Sequence, residues 1–69
     1  MKRPIVYWSM KTVALHYCEQ GDRIGKKTLM LELPRTLDNE RLMVAMGNAG
    51  RKELGLVEQG MTNATREYA

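Results

Sequence analysis

A chain of 69 residues makes one domain, near the size at which a lone core supplies only a few kcal/mol of net stability, so a homodimer or a larger partner would add useful buried area. Its 43% apolar and 28% charged content excludes a disordered chain, and its formal charge of +3 is too modest to separate a polyanionic partner from an acidic protein surface. The single Cys18 excludes an internal disulfide and makes a reducing compartment the default.

The charge is unevenly placed. Residues 1–36 carry seven Lys/Arg against three acidic groups, whereas residues 37–69 carry four against five. Phe is absent and Met occurs six times, so flexible thioethers fill much of the core or of a contact surface. Met1-Lys-Arg resembles the start of a signal peptide, but the apolar run from Pro4 stops at Lys11. Export and membrane insertion are therefore not expected, and a cytoplasmic location is.

Pro4 suits the first position of a helix, and Val6, Met10, Val13, Ala14 and Tyr17 then share one face up to Gly21, a suitable C-cap. The spacing predicts a first helix over Pro4–Gln20. The alternative is a strand at Ile5-Val-Tyr-Trp8 followed by a helix capped by Ser9. Tyr7 and Trp8 serve either as a stacking or partner surface or as ordinary core aromatics.

Gly21-Asp-Arg-Ile-Gly-Lys-Lys-Thr28 falls short of a phosphate-binding loop: three residues separate its glycines where four are needed, and a second Lys displaces the hydroxyl. A turn presenting Lys26 and Lys27 is the simpler expectation. Leu29, Leu31 and Leu33 alternate with Thr28, Met30 and Glu32 as in a half-buried strand, although Leu, Met and Glu also favour helices. Pro34 ends the element either way, and Thr36 and Asp38 are both fit to cap the next helix.

That next helix, Asp38–Leu54, is the central expectation. It places Leu42, Ala45, Met46 and Ala49 on a core-facing stripe, with Arg41, Val44, Asn48, Arg51 and Lys52 on the outer side. Gly47 and Gly50 each cost about 1 kcal/mol in a helix interior, so either the backbone approaches something closely there or the helix ends near Gly47. Residues 55–68 read as a strand, a tight turn and a return strand. The rival is a closing helix on Leu54, Val57, Met61, Ala64 and Tyr68.

The run Arg51-Lys-Glu-Leu-Gly-Leu-Val-Glu-Gln, with Tyr68 ten residues after Glu58, resembles the end of a winged helix-turn-helix DNA-binding domain, where a recognition helix leads into a wing hairpin. That resemblance implies a mainly α fold with a short β-hairpin: helix one over Pro4–Gln20, helix two over Lys26–Leu33 and the recognition helix over Asp38–Leu54. Thr28-Leu-Met-Leu-Glu-Leu-Pro-Arg-Thr-Leu37 is also similar to a ribbon-helix-helix repressor. Such a protein dimerises through one strand per chain, and Thr28, Met30 and Glu32 would then enter the major groove.

His16 and Cys18 are too few for a metal site, and on a helix they would point about 200° apart, poor geometry for a nucleophile pair. No catalysis and no cofactor are expected. The expected function is a small DNA-binding transcriptional regulator, a homodimer. Arg41, Asn48, Arg51 and Lys52 lie in the major groove, Val44 meets a thymine methyl, and Lys26, Lys27 and Arg35 sit on phosphates. The alternative is a phage- or plasmid-type regulator that binds and inhibits a host protein through Tyr7, Trp8 and Val44.

Overall fold

The computed structural model describes residues 2–19 and 27–63. Within them the order is β1 (Lys2–Trp8), β2 (Thr12–Glu19), β3 (Lys27–Pro34), α1 (Leu37–Glu53) and β4 (Met61–Asn63). The strands form one mixed sheet in the order β3-β2-β1-β4, with β1–β2 and β2–β3 antiparallel and β1–β4 parallel. This is a small α/β domain, one helix on a four-stranded sheet. It overturns the mainly α, winged helix-turn-helix-like expectation.

The first correction is at the front of the chain. Pro4–Gln20 forms no helix; it is the hairpin β1–β2. Ile5, Val6 and Tyr7 are buried in succession, so β1 shows no alternation of burial, and as an inner strand it has β2 and β4 to take up its backbone. Ser9 does accept a backbone N–H three residues on, as a helix cap would: Thr12 N donates to Ser9 Oγ at 3.3 Å. In return Ser9 N donates to Thr12 O at 2.9 Å, which closes a hairpin instead.

β3 takes the strand option for residues 27–33. It pairs with β2 of its own chain as the edge of a four-stranded sheet, which is not the lone strand of a ribbon-helix-helix chain. Leu31 lies opposite Leu15, but Leu29 lies opposite His16, so Met30 is an extra residue in a bulge. No second helix follows α1 among the described residues, and residues 56–60 have neither the expected strand nor the rival helix. The 21–26 loop and Tyr68 lie outside the described residues.

α1 starts and stops for identifiable reasons. Thr36 Oγ1 accepts from Asn39 N at 3.1 Å, and the Asn39 amide donates back to Pro34 O at 2.8 Å. At the other end Gly55 takes φ +73°, Gly55 N donates to Lys52 O at 3.1 Å and Leu56 N donates to Arg51 O at 2.8 Å. Together these make a Schellman stop.

The helix packs on β1 and β2 over a core of Val6, Val13, Leu15 and Met43, flanked by Trp8, Leu31, Leu33 and Met61. Ile5, Tyr7 and Cys18 form a second cluster on the far side of the sheet. The expected facing of α1 is reversed. Its buried residues are Met43, Gly47 and Arg51, while Leu42, Ala45, Met46 and Ala49 are exposed.

Close approach explains this reversal. A Cβ at Gly47 would stand 3.0 Å from Val6 Cγ2, and one at Gly50 would stand 2.8 Å from the Tyr17 hydroxyl and 3.1 Å from Pro4 Cγ. In an exposed helix a Gly→Ala change adds about 1 kcal/mol of stability. Here Gly47→Ala and Gly50→Ala are each expected to lower it by about 1–3 kcal/mol in urea unfolding, the range for overpacked sites. Tyr17→Phe in the Gly50→Ala background should recover part of the loss by removing the hydroxyl, with Pro4 keeping the remainder.

Candidate interaction surface

Of the residues expected in a DNA groove, Arg51 is buried in the fold and Asn48, half-buried, holds the segment that follows the helix. Arg51 is 8% exposed; its Nε donates to Val57 O at 2.6 Å and its Nη1 to Pro4 O at 3.2 Å. Asn48 Oδ1 accepts from Gln59 N at 2.8 Å. Both side chains thus hold the segment after the helix against α1 and the start of β1, and deliver it to β4. Pro4, Val6, Gly47, Asn48, Arg51 and Gln59 close on one another along this seam with no water-sized space between them.

A buried guanidinium is tolerable only with acceptors in reach, and these two carbonyls supply them. Arg51→Ala is expected to cost about 2–3 kcal/mol, because the buried Pro4 carbonyl and the partly buried Val57 carbonyl lose their donor as well. Arg51→Lys should recover less than half, since one ammonium replaces a fork that reaches both. Amide exchange at Gln59–Met61 should accelerate in either variant while exchange within β2 changes least.

The phosphate candidates fare differently from one another. Arg35 Nε pairs with Glu40 Oε1 at 2.7 Å, its Nη1 donates to Ser9 O at 3.1 Å, and its guanidinium lies 4.3 Å above the Trp8 ring. Lys27 Nζ stands 4.3 Å above the Tyr7 ring. Lys26 lies outside the described residues. Arg41 and Lys52 are exposed and make no ion pair with a described residue.

The alternative partner surface also needs correction. Tyr7 is 4% exposed, and Trp8 is half-buried beneath Arg35, so neither offers a free aromatic face. Val44 is well placed. With Leu37, Glu40, Arg41, Ala45 and Met61 it lines an open, largely apolar groove of about 380 Å³ between α1 and β4. Leu37 at its end is 61% exposed. Leu37 and Met61 were not singled out from the sequence; the richness in Met was the only signal pointing their way.

His16 and Cys18 share the far face of the sheet, because residues two apart on a strand point the same way. Cys18 is fully buried and free, and among the described residues no group of three His, Cys, Asp or Glu is placed to hold a metal. The His16 ring meets Tyr7 edge-on at 5.3 Å, and its Nδ1 is buried without a hydrogen-bond partner.

Burial holds the His16 pKa below the ordinary imidazole value, the Lys27 ammonium adds to the effect, and Glu32 and the nearby Ala14 backbone oppose it. The folded state therefore refuses a proton that the unfolded chain accepts as pH falls through about 6.5. Stability should decline on acidification from pH 7.5 to 5.5 and level off once the folded-state pKa is passed. In His16→Gln that slope should vanish, and the wild-type His16 C2 proton should titrate below 6.5 by NMR.

No family model, no curated protein and no solved structure matches this chain. No helix among the described residues is long and apolar enough to cross a membrane.

Proposed function

We propose that this chain is a small protein-binding regulator that works through the groove between α1 and β4. What carries the reading is the character of that groove: it is open to solvent, and Leu37, Val44, Ala45 and Met61 make it almost wholly apolar. Apolar surface left open on a chain with so little core is characteristic of a contact site. Arg35 neutralises Glu40 at the rim, which leaves Arg41 as the free charge there. The matching partner presents an apolar side chain with a carboxylate beside it.

A DNA-binding role has less support. Of the four residues assigned to the groove, Arg51 and Asn48 are occupied internally, and only Arg41 and Lys52 remain free to meet phosphate.

Affinity capture from a cell lysate, with and without nuclease, separates the two. The expected result is one protein retained after nuclease treatment, weakened at least tenfold by Val44→Glu and less by Arg41→Ala, as for an apolar hot spot with a charged rim. Circular dichroism should show the Val44→Glu fold intact. Capture that nuclease abolishes, with duplex retardation lost in Arg41→Ala/Lys52→Ala, would return the assignment to DNA.

A further inference from the structure

α1 is apolar on two sides, and the fold uses one. Met43 and Gly47 meet the sheet, while Leu42 stays 47% and Met46 40% exposed away from it, with Ala45 and Ala49 exposed beside them. Spacings of three, one and three residues put these four on one stripe of the helix. The stripe borders the α1–β4 groove at Ala45 and is otherwise separate from it.

We propose that a second copy of this chain covers the stripe, with the two α1 helices antiparallel about a twofold axis passing between Ala45 and Met46. That arrangement sets the large side chains of the stripe against its small ones. Reversing the helix about that point sets Leu42 over the small Ala49 of the partner subunit, twice. Ala45 meets Ala45 of the partner subunit near the axis, so the backbones approach to about 8 Å, the close end of helix packing. Met46, the adaptable side chain, meets Met46 of the partner subunit on the other flank.

Charge specifies the direction. Asp38 in the first turn and Lys52 in the last turn are both exposed. They lie about 40° apart around the helix, on the same flank of the stripe. The twofold brings each Asp38 to Lys52 of the partner subunit, giving two ion pairs and opposed helix dipoles. A parallel pair would set Asp38 beside Asp38 and Lys52 beside Lys52. Glu53 comes level with Asp38 of the partner subunit but on the opposite flank, about 60° away around the helix against about 40° for Lys52, so Lys52 is the closer of the two in angle.

A stripe of about two turns buries well below the ~800 Å² per partner of a standard interface. The pair is therefore a reversible one, dissociating at roughly 10–100 μM.

Sedimentation equilibrium of the whole chain at 5–500 μM and low ionic strength tests this. The mass should rise from monomer to dimer across that range. Leu42→Glu/Met46→Glu should stay monomeric throughout with an unchanged circular dichroism spectrum, because both side chains face solvent in the monomer. Asp38→Lys and Lys52→Asp should each weaken association about fivefold, the scale of two exposed ion pairs lost. Mixing these two single variants should restore it, since each then offers the other two opposite charges. A monomer at 500 μM, a dimer indifferent to Leu42→Glu/Met46→Glu, or a mixture no tighter than its components would overturn the proposal. None of these outcomes bears on Val44→Glu in the capture experiment, so the groove stands or falls separately.

Discussion

The close seating of α1 on β1 governs the rest of the molecule. At Gly47 and Gly50 the helix backbone comes so close to the sheet that a Cβ would stand 2.8–3.1 Å from side-chain atoms of Val6, Pro4 and Tyr17, tighter than ordinary contact. Over this stretch Met43 is the large apolar side chain left between helix and sheet, and it is wholly buried. Two residues lacking side chains sacrifice helix propensity, and the approach they permit brings the neighbouring helical turn within reach of β1's own backbone. That is why Arg51, one turn beyond Gly47, finds the Pro4 carbonyl.

From that contact follows the parallel strand. β4 is three residues long and pairs with β1 at Val6, Tyr7 and Trp8. So short a parallel ladder has little stability of its own and depends on the chain being delivered to it. Arg51 on the Val57 carbonyl and Asn48 on the Gln59 amide do the delivering, at the near and far ends of the connecting segment. With β4 fixed beside β1 and the helix flank standing over it, Val44, Leu37 and Met61 are left facing one another across open space. The groove is a by-product of how the crossover is anchored.

The helix was legible, and so was its reason for existing. Thr36 as a cap and the apolar spacing spoke for it in the sequence, and of the two options left open at Gly47 and Gly50 the fold takes close approach. The facing of the helix was not legible. Hydropathy ranks Leu42, Met46 and the alanines above glycine and arginine, whereas the sheet selects for thinness, which no hydropathy scale measures. The glycine spacing held the missing signal: Arg51 lies four residues after Gly47 and so shares its face. β1 and β2 were masked by coincidence, because a strand buried on both faces shows no alternation and Val6, Met10, Val13 and Tyr17 happen to fall at helical spacing. Of the residues assigned a contact role, Arg41 and Lys52 remain open to solvent and Val44 lies half-buried in the groove, while the cations with carbonyls or aromatic rings within reach went to those instead.

An anchored helix is a better recognition element than a loop carrying the same side chains. α1 is capped at both ends and tied to the sheet through Met43, Gly47 and Arg51, so its backbone has little freedom left to lose when its outer side is covered. Side chains that failed to enter the core are in this way displayed at fixed spacing on a rigid rod, where Ala45 and Ala49 set the depth and Leu42 and Met46 supply the contact. A chain this short cannot bury all its apolar surface in one layer of helix on sheet. What it leaves outside lies on its most rigid element, where burial by another molecule orders the least additional chain.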